Sequence, residues 1–194
     1  MANLFRNLEQ QAFKAGITPR TQQSREWFRK KAAGLRRINR NALMREKELI
    51  SSPKHIIGSM QMFFYDPKTK DTLPYYDTFP LSVIIGPADG GFMGLNLHYL
   101  PPILRAKFLD SLLDLASNKT YDEDTKFNIR YSMLKRAAKF RYFKPCIKHY
   151  LSSNVRSKFS TVSATEWEIA TFLPTAQWKK SNSSNVYSQS RRMI

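Results

Sequence analysis

The sequence predicts an α+β fold: a basic helical N-terminal arm, a small antiparallel β meander or barrel-like core, and basic C-terminal helices. Three observations carry that prediction. Apolar residues make up 42% of the 194, with 13 Phe and 9 Tyr among them, enough for a packed core. Residues 21–40 repeat their apolar positions at helical spacing. Residues 59–97 instead alternate short apolar, β-branched runs with turn residues, which is the pattern of strands joined by tight turns. The expected boundaries are an arm over 1–55, a core domain over 56–178, and a flexible basic tail over 179–194.

Within the arm, Thr18-Pro19 reads as a cap and first turn. At about 100° per residue, Arg25, Arg29, Arg36 and Arg40 fall in a wedge of roughly 60°, extended by Lys30 and Arg37. Trp27, Phe28, Leu35 and Ile38 collect opposite, with Lys31 intruding. Gly34 costs this helix about 1 kcal/mol relative to Ala, which makes it a candidate break.

The middle reads as strands over 59–65, 80–85 and 92–97, separated by Asp66-Pro-Lys-Thr-Lys-Asp71 and Gly86-Pro-Ala-Asp-Gly-Gly91. Tyr75, Tyr76 and Phe79 could offer rings to bases; the reading preferred is that they plug the end of the β core. Pro101-Pro102 opens a helix through about 116, with Ile103, Leu104, Phe108, Leu112 and Leu115 at helical spacing. Thr120-Tyr-Asp-Glu123 has the form of a capping box, starting a helix to about 140. Past Pro145 a short helical piece through Leu151 is expected, then a strand over 155–162. Ser163-Ala-Thr-Glu166 forms a second capping box before a helix to about 173. The Ser/Asn-rich tail reads as an extension without fixed structure.

Charge is distributed in blocks. The chain holds 32 Lys+Arg against 15 Asp+Glu, a net charge of +17. Residues 1–55 carry +9, residues 56–125 carry −4, and residues 126–160 hold ten basic residues and no acid. An ordinary solvated surface mixes both signs. Such a surplus strains the compact state by self-repulsion and implies a polyanionic partner. Phosphate contacts need many cations and little fixed spacing, so the blocks point to nucleic acid without a preferred base sequence. The candidate contacts are Arg25, Arg29, Lys30, Arg36, Arg37, Arg40, Lys126, Arg130, Lys135, Arg136, Lys139, Arg141, Lys144, Lys148, Arg156 and Lys158, with the two blocks expected to act as one clamp.

Chemistry-bearing motifs are sparse. His55, His98 and His149 are scattered, and Cys146 with His149 supplies two ligands where a metal site needs more. One cysteine excludes an internal disulfide. Phosphate-binding glycine loops and nucleophile elbows are missing. No metal, cofactor or catalytic residue is assigned, and an enzyme is not expected. The rival enzymatic reading is a metal-dependent nuclease built on Asp124-Thr-Lys126 with Asp110 and Asp114; capping and helix solvation explain the same residues. Residues 1–11 carry Arg6 and Glu9 and no long apolar run, so no secretory leader and no membrane partner are expected.

Several stretches carry a resemblance. Phe64-Tyr-Asp-Pro-Lys-Thr-Lys-Asp-Thr-Leu-Pro-Tyr-Tyr-Asp-Thr-Phe-Pro-Leu81 and Gly91-Phe-Met-Gly-Leu-Asn-Leu-His-Tyr-Leu-Pro-Pro102, with Arg105 after it, resemble the DNA end protector proteins of T-even-like tailed phages. Tyr142-Phe-Lys-Pro-Cys-Ile-Lys-His-Tyr150 and Thr165-Glu-Trp-Glu-Ile-Ala-Thr-Phe-Leu-Pro174 fit the same picture. The resemblance covers about residues 57–174 and brings no catalytic residues. It implies a minor virion protein on the ends of packaged double-stranded DNA, shielding them from host exonuclease and aiding head completion. Its partners would be DNA termini and virion proteins near the head–tail junction, and its locations the virion and the host cytoplasm. A neck or baseplate component facing acidic protein neighbours is the structural alternative.

Overall fold

The structure is a computed structural model describing residues 4–35, 38–47, 49–117, 132, 136, 141–163 and 165–193, by backbone alone at 111–117, 141 and 142. It combines helices with an antiparallel sheet, as the α+β expectation requires.

Helix α1 (Leu4–Lys14) buries Phe5, Leu8 and Ala12, one stripe at helical spacing. Its first amides donate to the Glu46 carboxylate, Leu4 N at 2.8 Å and Phe5 N at 3.2 Å, which satisfies orphan donors and places negative charge at the positive end of the helix. Helix α2 (Gln22–Ala33) starts at Thr21, three residues after the expected cap. Thr21 and Ser24 exchange side-chain-to-backbone bonds as a capping box. Phe28 and Ala32 face the core, and Gly34 ends the helix. The chain restarts at Asn39, whose side chain caps the short helix α3 (Arg40–Leu43). The single amphipathic helix expected over 21–40 is therefore two helices, with Arg25 and Arg29 on one and Arg40 on the other.

Six strands form one sheet: β1 (Ile50–Ser52), β2 (Met60–Met62), β4 (Leu81–Ala88), β5 (Gly91–Asn96), β6 (Ile147–Leu151) and β7 (Phe159–Val162), with β3 (Tyr76–Asp77) between β2 and β4 in sequence. The order is β1-β7-β2-β4-β5-β6 and every pairing is antiparallel. Asp89-Gly90 joins β4 to β5, with Gly90 at φ 65°, a conformation a side chain resists. β3 pairs with β8 (Trp178–Lys179) in a separate two-stranded ribbon.

Strand alternation divides the side chains between two faces. Met60, Met62, Leu81, Val83, Leu95 and Val162 join the main core with α1, α2 and the helices α4 (Pro102–Ser117) and α5 (Trp167–Phe172). Phe63, Tyr65, Ile84, Phe92, Tyr150 and Phe159 form a second, largely aromatic cluster. In it Phe63 meets Phe92, Tyr150 and Phe159 with ring centroids 5.0–5.7 Å apart, the range of favourable edge and tilted contacts.

Three further expectations are corrected. The segment before Leu151 is strand β6, preceded by a 3-10 turn, Arg141–Cys146. Gly91 explains the difference: a methyl there would strike the Tyr150 carbonyl, so glycine lets β6 close against β5. Residues Ser183–Arg192 form helix α6, capped by Asn182, with Val186 fully buried in the main core. The expected strand over 155–162 shortens to β7, with Val155 making an isolated bridge to Tyr65. Ser163 donates to the Glu166 carboxylate just ahead of α5. Of the helix expected from Thr120 to about 140, Ser132 and Arg136 are described and are helical; its other residues lie outside the described ones.

Candidate nucleic-acid interface

Arg29 and Lys30 stand exposed on α2. Lys31 is exposed too, with its ammonium 5.2 Å from the Trp27 ring centre. Arg25 lies on the side of α2 facing α4 and pairs with Asp110. Arg40 turns inward: its guanidinium donates to the carbonyls of Thr175 and Ala176, both at 2.8 Å, and its carbon lies 6.0 Å from the centre of the Phe79 ring. Burial lowers its pKa, partly opposed by Asp77. Of the second block, Arg136, Lys144, Arg156 and Lys158 are exposed and Lys148 is half-buried. Arg156 lies 3.9 Å from Asp66. Arg141 begins the 3-10 turn. Arg36, Arg37, Lys126, Arg130, Lys135 and Lys139, with Asp124 of the nuclease alternative, lie outside the described residues.

A cleft of about 500 Å³ opens on the aromatic side of the sheet. The pairing of β6 with β5 builds one wall: Lys148 sits opposite Gly94, and Tyr150 opposite Phe92. Alternation therefore places Lys148 and Tyr150 on the same face. The loop 67–76 builds the other wall, with Lys68, Tyr75 and Tyr76. That loop is pinned from outside by Lys180, whose ammonium donates to the carbonyls of Lys70, Asp71 and Leu73 at 2.8, 2.9 and 3.2 Å. Lys180 itself holds φ 61°, a strained value for a residue with a side chain.

Lys148 is the unusual cation. Its ammonium lies 3.8 Å from the Tyr99 ring centre. Burial lowers its pKa to about 8, against a small opposite pull from Cys146. Burial also pushes the Cys146 thiol up to about 12, so it stays protonated. Among the described residues no carboxylate pairs with Lys148 or Lys144.

Beneath the cleft runs a buried polar chain. Asp77 accepts from the backbone amides of Phe79 and Gln177, each at 3.0 Å, from Asn96 Nδ2 at 3.2 Å, and from His98 Nδ1 at 2.6 Å. Burial alone would raise its pKa, but His98 and the two amides outweigh it and hold the carboxyl ionised. His98 Nε2 faces the Thr175 hydroxyl at 3.0 Å. Burial lowers the His98 pKa against the pull of Asp77, helped by Arg105 and Arg40, so the ring is neutral and Nε2 accepts from Thr175. The sequence of carboxylate, imidazole and hydroxyl matches that of nucleophilic triads. Here His98 and Thr175 are at most 1% exposed, and the chain instead ties β3, the 3-10 turn Leu97–Tyr99 and the segment after α5 together.

A family profile, the phage T4 terminal DNA protecting protein, matches residues 1–192. The chain belongs to that family. The searches of curated proteins and of solved structures find no match. For a terminal DNA protecting protein, the arrangement has two distinct parts: exposed cations on the surface, and a cleft combining tyrosines with lysines. Sequence reasoning found the first from charge alone. It included Lys148 and Lys144 but missed their company of Lys68, Tyr65, Tyr99 and Tyr150. Reading the segment before Leu151 as helix hid the alternation that aligns Lys148 with Tyr150. Phe79 is the expected plug, fully buried; Tyr75 and Tyr76 are half-buried in the cleft wall. Among the described residues no three His, Cys, Asp or Glu gather as metal ligands, and no helix is long and apolar enough to cross a membrane.

Proposed function

We propose that this protein binds the ends of linear double-stranded DNA in the virion and, by occupying them, denies them to host exonuclease. The family match over residues 1–192 carries this reading, and the +17 charge supplies the physical means. The contacts are Arg29, Lys30, Arg36, Arg37, Lys126, Arg130, Lys135, Arg136, Lys139, Arg141, Lys144, Arg156 and Lys158. Arg25 and Arg40 are engaged within the protein, and their role is to hold the helices on which neighbouring cations stand. The role is shielding, without catalysis, and the protein acts beside other virion proteins at the head–tail junction to complete the head before and after which it travels with the genome.

The test is protection of linear DNA from a processive exonuclease by the purified protein. Protection at protein concentrations that saturate the ends, with no shortening of the DNA in magnesium alone, is expected. Digestion at the unprotected rate would favour a structural component with acidic protein neighbours. Magnesium-dependent cleavage that disappears in Asp124→Ala would establish the nuclease instead.

A further inference from the structure

We propose that the tyrosine–lysine cleft is a strand-end pocket: it receives the terminal unpaired nucleotide of a DNA strand, with the base against Tyr75 and Tyr76 and a phosphate between Lys144 and Lys148. The inference rests on the DNA-end reading and deepens it. Size decides between strand and duplex. A volume of about 500 Å³ lies in the range of small-molecule pockets, about 300–1,000 Å³, so one or two nucleotides enter and a duplex remains outside on the exposed cations.

Chemistry decides the rest. Lys148 has lost much of its hydration and stands on the Tyr99 ring without a carboxylate partner among the described residues. A desolvated cation in that state gains strongly from an anion. Lys144 and Lys68 add exposed positive charge to the same cleft. The acid in the floor, Asp77, has its oxygens taken by Phe79, Gln177, Asn96 and His98, so it offers the guest no free acceptor. The walls supply what a base needs, since every base has a π face and aromatic stacking tolerates all four. A protein with this pocket recognises an end by what an end alone provides: a nucleotide that can leave the stack without opening an interior base pair.

The experiment compares binding of the full chain to blunt duplexes and to the same duplexes with four-nucleotide overhangs. Overhangs should bind roughly tenfold more tightly, the order expected from one stacked base. Lys148→Met, which keeps the packing on Tyr99, should erase most of that advantage and leave blunt-duplex affinity within about twofold; Lys144→Ala, at an exposed site, should erase the advantage too, while weakening blunt-duplex binding by the loss of one phosphate contact. A 5-iodouracil at the overhang terminus should photo-crosslink to the peptide containing Tyr75 and Tyr76. Equal affinity for blunt and overhung ends, an advantage that survives in folded Lys144→Ala, or crosslinks confined to other peptides would overturn the pocket. Failure to bind any duplex would instead overturn the DNA-end reading itself, and the two failures are separated by the blunt-duplex arm.

Discussion

Arg105 is buried at 3% exposure, yet among the described residues no carboxylate forms an ion pair with it. Its guanidinium donates to the carbonyls of Leu100 at 2.6 Å and Thr171 at 3.1 Å, and to the Tyr187 hydroxyl at 2.7 Å. One side chain thus joins α4, α5 and α6. Arg105→Ala would leave these groups buried and unpaired at about 1–3 kcal/mol each, so a loss of about 3 kcal/mol or more is expected by urea unfolding; Tyr187→Phe should cost about 1 kcal/mol. Arg40→Ala should lower stability by about 1–2 kcal/mol through the lost carbonyl bonds and leave the salt dependence of DNA binding unchanged. His98 gives a pH signature. Its folded-state pKa lies below the ordinary value, so as pH falls under about 6.5 the unfolded chain takes up the proton first. Stability should therefore fall with acidification from that point. Asp77, held low in the fold, adds a further loss as pH drops below about 4. Thermal melts of wild type and His98→Gln between pH 5 and 8 check the first step; a variant with the same slope as wild type would remove His98 as its source.

At the scale of elements, α6 should be part of the stable fold. Deleting residues 183–194 removes Val186 from the core and Tyr187 from Arg105, and should lower the melting temperature by at least several degrees. An unchanged melting curve would contradict that role. Sequence composition hid this helix, because Ser183 to Arg192 offers almost no apolar periodicity; a single buried valine and one tyrosine hydroxyl dock it. The strands of the hairpin β4–β5 and helix α4 were legible, since alternation and a Pro-Pro start are local signals. β6 was not, because what makes it a strand is Gly91 on another strand. Gly91→Ala should accordingly destabilise by about 1–3 kcal/mol through overpacking, read from the same unfolding curves. Of the candidate interface, the surplus of cations was visible in counting; which of them turn inward, as Arg25 and Arg40 do, depended on partners at Asp110, Thr175 and Ala176 far along the chain.

At the scale of the whole molecule, net charge sets the response to salt. If about six phosphates are neutralised, log K should fall against log salt with a slope of about −5. Replacing Arg29 and Lys30 should reduce that slope by up to about 2, and replacing Lys135, Arg136 and Lys139 by up to about 3, each without unfolding the protein by circular dichroism. A folded variant that binds as wild type at every salt would show that its block meets something other than DNA.

The strand order also governs when the fold can form. β7 lies between β1 and β2, so Ile50 pairs with Thr161, and Gln61 with the same residue from the other side. During synthesis, β1 and β2 leave the ribosome about a hundred residues before the strand that joins them, and they cannot share a ladder until then. The emerging chain must keep Met60, Met62 and Phe63 from unwanted contacts through that interval. Folding by non-local pairing is slow, on the order of milliseconds to seconds, and here it waits on translation past Val162. A ribosome-stalled series of nascent chains should gain protease resistance only in lengths that expose residue 162, so the last strand to emerge sets the moment at which the first two can join.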